Sequence, residues 1–329
     1  MRAPHFLWLV VALAASLPVQ GSAQEPSPVP DAKPIPLVQV TPLPDYQASF
    51  TFRGHELTRF RFDPAAKRPF WYPAQTSLAP SVIRMGHPHD AHGHRHHYGI
   101  WITHNAVSGV NFWADEHGKG NGSIRHQKVL GCWDGDESAM MMTLNHWVNE
   151  EDGKVLLIEK RHMEIRPAPD ASSWLLIVDS EFLAPKGQTT TLEGSGFGLM
   201  SARMAKSIGV HDGGGRILNS EGQVNEEQIF RKPARWCDYS GRLTADGFAG
   251  ITLMNHPGNP NHPTAYHVRN DGWMCNALSL EKPVAVGDAS PLHVRHGLWV
   301  HEGVPDQRRC ESMWADFVKL PLPDMAKKP

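Results

Sequence analysis

The sequence predicts an all-β protein, a large antiparallel β-sandwich with few short helices, and three observations carry that expectation. Short runs of β-branched and aromatic residues recur along the chain, each bounded by turn residues. Only one stretch, residues 312–318 after Pro305, reads as a short helix. The part that reads as folded, about 280 residues, is long enough for one such domain, and many strands without intervening helical patterns favour a sandwich or barrel.

In chain order, Arg2 and His5 precede an apolar run over residues 6–17, followed by small residues Gly21, Ser22 and Ala23. These proportions predict a signal peptide over 1–23, a mature start near Gln24 and a periplasmic or secreted protein. The run is shorter than the roughly 20 apolar residues that a membrane span needs. Residues 24–44 (EPSPVPDAKPIPLVQVTPLP and one residue before it) are rich in proline and predict an extended linker. A single domain is expected over 45–329.

Within it, ELTRFRF (56–62), SVIRM (81–85), KVLGCW (128–133), AMMMTLNHWV (139–148), KVLLIEKRHMEI (154–165) and SWLLIVDSEFL (173–183) read as strands, joined by turns such as NEEDG and PAPDAS. A second set covers 248–254, 264–268 and 293–300. No short repeat recurs, which argues against a propeller.

The chain is 40% hydrophobic and 20% charged with a formal net charge of -2, so no electrostatic case exists for nucleic acid or an anionic membrane as partner. Cys132, Cys237, Cys275 and Cys310 form no CxxC pair. One or two disulfides and four buried thiols are both compatible with their spacing.

Residues 87–99, HPHDAHGHRHHYG, hold six of the twenty histidines. The run is internal and interrupted, unlike a purification tag. It lies between SVIRM and GIWITH, where a loop leaving one strand and entering the next brings side chains together at a sheet rim. His94 and His96 share a face if extended, and His104 ends the next strand. Three neutral imidazoles can hold a divalent metal with one position open, which makes His94, His96 and His104 a candidate metal set. No HExxH is present, and the same residues serve equally as metal-free acid/base groups or as rim packing.

A second loop, NHPGNPNHPTAYHVR (255–269), carries His256, His262 and His267 and is expected on the same rim. Trp71, Trp101, Trp113, Trp236 and Trp273 offer faces for a sugar, with core packing as the alternative. The catalytic candidates are His96, His97, Glu221, Asp238 and His267, since a histidine titrates near neutrality and a carboxylate in a partly apolar pocket can serve as acid. Trp101, His104, Trp113, Arg203, His256 and Arg269 are the substrate-binding candidates. Asp238 and Glu221 also suit a structural role as partners of Arg203 or Arg269.

GVNFW (109–113), GFGLMSARMA (196–205), GGRILNSEGQ (214–223), WCDYSG (236–241), NHPGNPNHPTAYHVRNDGW (255–273) and VHEG (300–303) accompany HRHHYGIWITH (94–104) in one order. Together they resemble an exported bacterial family labelled PmoA-like, or methane oxygenase-like. The family pattern is DHPHHRG followed by a tryptophan. His94, His96, His97, Gly99 and Trp101 match it, while Gly93, Arg95 and Tyr98 replace its acid, proline and arginine. The resemblance implies a β-rich exported protein of glycan-degrading bacteria, and by analogy a supersandwich similar to galactose mutarotase. The label does not fix the activity, because methane monooxygenase subunits are polytopic and this chain lacks a comparable apolar run after residue 23. Three functional classes follow. One is a carbohydrate-active enzyme that cleaves glycosidic bonds by hydrolysis or elimination, with or without a divalent metal. Another is a non-catalytic binder of glycan or transition metal, and the last is a copper oxygenase.

Overall fold

The computed structural model describes residues 31–87, 89–90, 92 and 94–326. The expected signal peptide lies outside them. Residues 36–329 form one compact unit.

The chain opens with β1 (Val38–Leu43), β2 (Gln47–Phe52), β3 (His55–Arg61), β4 (Phe70–Ala74) and β5 (Ile100–Ile102). A meander of long strands follows: β6 (Gly122–Trp133), β7 (Ala139–Asn149), β8 (Val155–Pro167) and β9 (Ser173–Leu183). Next come β10 (Thr190–Leu192), β11 (Met200–Arg203), α1 (Val210–Gly213), β12 (Arg216–Asn219), α2 (Asn225–Ile229) and β13 (Lys232–Pro233). The chain then runs through β14 (Trp236–Arg242), β15 (Phe248–Asn255), β16 (Ala265–Arg269), β17 (Trp273–Ala277), β18 (Val284–Val286), β19 (Leu292–Glu302) and α3 (Gln307–Lys319).

Two large antiparallel sheets result. One is nine-stranded, in the order β1-β2-β3-β4-β5-β11-β17-β16-β13, and the other eight-stranded, in the order β12-β14-β15-β19-β9-β8-β7-β6. The sandwich expected from the sequence is the observed architecture. Strand alternation sorts each sheet's residues onto two faces, and the inner faces meet in a core that includes Phe50, Trp71, Ile100 and Met200 from one sheet and Met141, Leu157, Leu176 and Leu298 from the other. On the outer face of the eight-stranded sheet, Leu175, Ile177, Trp236 and Trp299 pack under Cys310 and Phe317 of α3. The predicted helix is therefore present and longer at its N-terminus, where Asp306 caps it by accepting from the Arg309 amide.

Two expectations need correction. Residues 38–43, assigned to a linker, form β1: Val38 and Val40 point inward, buried, and the strand pairs along its length with β2. Proline at 42 is tolerated because β1 is an edge strand. SVIRM is not a ladder strand. Its alternate residues make single bridges instead, Ser81 to Gln75, Ile83 to Met204 and Met85 to Tyr98.

One charged cluster sits inside the main core. Glu159 and Arg161, both fully buried on the inner face of β8, pair at 2.7 Å, and Glu159 also accepts from Trp147 Nε1 and Ser180 Oγ. All four cysteines are free thiols. Among the described residues no helix is long and apolar enough to cross a membrane.

Candidate functional site

The site stands on the outer face of the nine-stranded sheet, opposite the main core. Register decides which residues face it. Trp101 pairs with Ser201, Ser201 with Cys275 and Cys275 with His267, while Arg203 pairs with Trp273 and Trp273 with Arg269. Cross-strand partners share a face, so β5, β11, β17 and β16 together present these residues outward. Their alternating neighbours Ile100, Met200, Ala202, Met274 and Val268 fill the core.

Two loops fold over that face. Arg68, buried, staples them: it donates to the His96 carbonyl at 2.9 Å and to the carbonyls of Trp113 and Ala114 at 2.8 and 2.9 Å. Tyr98 adds a 2.5 Å hydrogen bond to Asp115. The histidine loop enters β5 through Gly99, at φ +62°, where an added Cβ would lie 2.5 Å from the Trp71 carbonyl oxygen. Gly99→Ala is expected to destabilise the fold by at least about 1–2 kcal/mol from the left-handed backbone alone. Urea denaturation checks this.

The result is an open cleft of about 420 Å³ whose walls include His94, His96, His97, Phe197, Phe230, Arg231, His267 and Arg269. His97 lies between two indoles in its floor, 5.5 Å from Trp101 and 6.0 Å from Trp273, near parallel to both. Burial, reinforced by Arg203, pushes the His97 pKa far down, and burial with Arg68 lowers His96 to about 4. His267 packs against Trp273 at 4.1 Å and is lowered to about 4 by burial, with Arg231 and Arg269 acting in the same direction. These three imidazoles are neutral at pH 7. The 3.0 Å contact from His267 Nδ1 to the Gly196 carbonyl makes Nδ1 the protonated nitrogen and leaves the Nε2 lone pair free.

Asp271, in the hairpin between β16 and β17, accepts from Arg203 at 2.8 Å and contacts His87 at 3.2 Å. Burial works to raise its pKa, but the hydrogen bond and charge of Arg203 outweigh it and hold the carboxyl below its ordinary range. Beneath, Arg203 Nε and Nη2, His97 Nδ1 and Trp273 Nε1 are buried without a protein partner. Such groups call for a hydrogen-bonding partner that neighbouring side chains do not supply.

Of the residues singled out in the sequence, His94, His96, His97, Trp113, Arg203, His267, Arg269 and Trp273 gather at the cleft. Trp101 lies in its floor. The others do not come here. His104 turns inward, fully buried, bonding Ser279 Oγ at 2.8 Å and accepting from the Ala106 amide, so the His94, His96 and His104 metal set does not assemble. Among the described residues no cluster of His, Cys, Asp or Glu is arranged to hold a metal ion. Asp238 is buried on the outer face of the other sheet, bonded to Ser240 and His301. Glu221 is exposed in the turn after β12, bonded to Ser220. His256 and His262 pack against Phe317 and Trp314 of α3. Trp71 belongs to the main core and Trp236 lies under α3. Arg231, Phe197, Phe230 and Asp271 were not anticipated as site residues. The Asn270-Asp271-Gly272 turn was the available signal for the last of these, since a turn joining two site strands must itself border the site.

Residues 47–315 match the model of a family of unknown function (DUF6807). No curated protein sequence matches the chain. Among solved structures, it is similar to the galactosidase domain of the α-galactosidase-sucrose kinase AgaSK, at 8% identity and TM-score 0.39 over 81% of this chain and 40% of that one. It is also similar to YeaD from Salmonella typhimurium, a protein assigned as a mutarotase, at 9% identity and TM-score 0.37 over 81% of this chain and 94% of that one. The chain thus spans under half the length of that galactosidase-domain chain.

Proposed function

The chain belongs to this family of unknown function, and we propose that it is a carbohydrate-active enzyme that breaks a glycosidic bond by elimination, with His267 as the base. The observation that supports the carbohydrate reading is the composition of one open cleft. Aromatic rings (Trp113, Phe197, Phe230) stand beside N–H donors of Arg231 and Arg269 and beside neutral imidazole acceptors, the mixture that a ring of C–H faces and hydroxyl edges requires.

Elimination is favoured over hydrolysis by the carboxylates. Hydrolysis of a glycoside ordinarily uses two, one of them protonated, roughly 5–10 Å apart across the bond. Of the cleft-lining residues only Asp271 is acidic, and it is held ionised in a salt bridge. Neutral His267, with its free Nε2, suits proton abstraction from carbon instead, and the neighbouring guanidiniums suit the negative charge that then develops. Export, proposed from residues 1–23, would place this cleft among extracytoplasmic glycans.

The test is product analysis by mass spectrometry and ultraviolet absorbance after digestion of a polysaccharide panel. Elimination predicts shortened chains whose new non-reducing end carries a carbon–carbon double bond and whose summed mass equals that of the substrate. Saturated products heavier by one water per cleavage would reject elimination, and binding without turnover would leave a glycan-binding protein.

A further inference from the structure

We infer that the cleft selects a sugar bearing a carboxylate, a uronic acid within a glycan, and that Arg231 is the residue that grips it. This rests on the reading of the cleft as a glycan site. The charge distribution carries the inference. Arg203 is matched by Asp271 at 2.8 Å and Arg269 by Glu226 at 2.9 Å, whereas among the described residues no carboxylate pairs with Arg231. His96, His97 and His267, whose pKa values burial lowers, carry no charge that would offset it. One cation therefore stands uncompensated at the mouth, where a guanidinium fork matches the two oxygens of a carboxylate.

Its placement is built rather than incidental. Arg231 adopts φ +57°, a backbone region that costs a side-chain-bearing residue energy and is kept where the surrounding fold imposes it. Its amide is fastened to the Tyr266 carbonyl at 2.8 Å. The guanidinium lies over the Phe230 ring, 5.1 Å from its centre, and that of Arg269 lies 5.8 Å from the same centre, so two cations converge on one aromatic ring. Gly196 lets the imidazole and the guanidinium lie close together: a Cβ there would stand 2.9 Å from His267 Nδ1 and 3.5 Å from Arg231 Nε. The base and the cation thus close on one point.

A carboxylate at Arg231 also supplies what elimination needs. His267 Nε2 takes the proton from the ring carbon that bears the carboxylate, and the carbanion charge spreads onto the carboxylate oxygens held by the guanidinium. That electron pair then forms a carbon–carbon double bond to the adjacent ring carbon. The bond from this carbon to the glycosidic oxygen breaks, and the oxygen leaves with its electron pair and accepts the proton back from His267. No water, oxidant or reductant is consumed.

Calorimetric titration tests the inference without requiring turnover. The probes are oligomers of galacturonate, glucuronate, mannuronate and guluronate, each beside the same oligomer with its carboxyl groups reduced to alcohols. At least one acidic oligomer is expected to bind about tenfold or more tightly than its reduced partner, with the preference shrinking as salt is raised. Arg231→Gln should collapse that ratio towards one, and Arg231→Lys should recover part of it. Equal affinity for acidic and reduced forms would overturn the inference and leave the glycan reading standing. Preference for a sulfated galactan over every uronate would overturn the carboxylate assignment. Binding of none of the oligomers would overturn the glycan reading, and this inference with it.

Discussion

Replacing His267 with asparagine should lower turnover on a verified substrate by roughly 10²-fold or more, the scale of losing a positioned base. Asparagine retains an N–H close to the position of Nδ1, so the bond to the Gly196 carbonyl survives, but it offers nothing that accepts a proton near neutrality. The folding cost should be near about 1 kcal/mol, the typical loss for a single substitution. The pH profile supplies a second readout. A base with a pKa of about 4 is protonated below that value and free above it, so kcat/KM of the native protein should rise through pH 4 and then level off. In His267→Asn that acidic limb should vanish. A variant that keeps both its rate and its limb would place the base elsewhere in the cleft.

Glu159→Ala should destabilise the fold by about 3–5 kcal/mol, the usual cost of stripping one partner from a buried pair. Arg161 would be left charged between the sheets with its carboxylate gone, and Trp147 Nε1 and Ser180 Oγ would lose their acceptor as well. For a chain of this size each kcal/mol corresponds to roughly 2–4 °C of melting temperature, so a drop of about 10 °C is expected. Changing both partners, Glu159→Met with Arg161→Leu, should recover a large part of the loss, since no lone charge is then buried. Calorimetric or urea unfolding distinguishes the two variants. If the single and double changes cost the same, the pair is not what holds this part of the core.

The strands were legible because β7, β8, β9 and β19 are long runs rich in apolar residues and bounded by turns, and β9 is apolar on both faces, with Leu176 in the main core and Leu175 and Ile177 under α3. β1 was hidden by Pro42 and the prolines that flank the strand, and an edge strand accepts Pro42 where a central one would not. SVIRM has strand composition but no neighbour to pair with along its length, and pairing is a property of the fold rather than of the segment. The site was legible where residue type and loop position coincide, at His94, His96 and His97. It was illegible where function depends on which face a residue takes. Asp238 has the chemistry of a catalytic acid, yet its register on β14 turns it towards the opposite side of the molecule from the cleft. His104 stands just past β5 and rotates into the interior to bond Ser279. Arg231 gave no signal at all, because its conformation and its lack of an acidic partner among the described residues exist only in three dimensions.

The register that lifts His267, Arg269, Trp273 and Cys275 out of the core together makes the site a matter of parity. An insertion of one residue early in β16, compensated nowhere, would send Tyr266 and Val268 outward and bury His267 among the aliphatic side chains. Chemistry and hydrophobicity would exchange places along that strand in one step. Length changes that survive in relatives of this chain should therefore fall in the loops above the sheet, where they alter what the cleft admits, or come in pairs within the strands, where they leave the odd and even residues on their own sides.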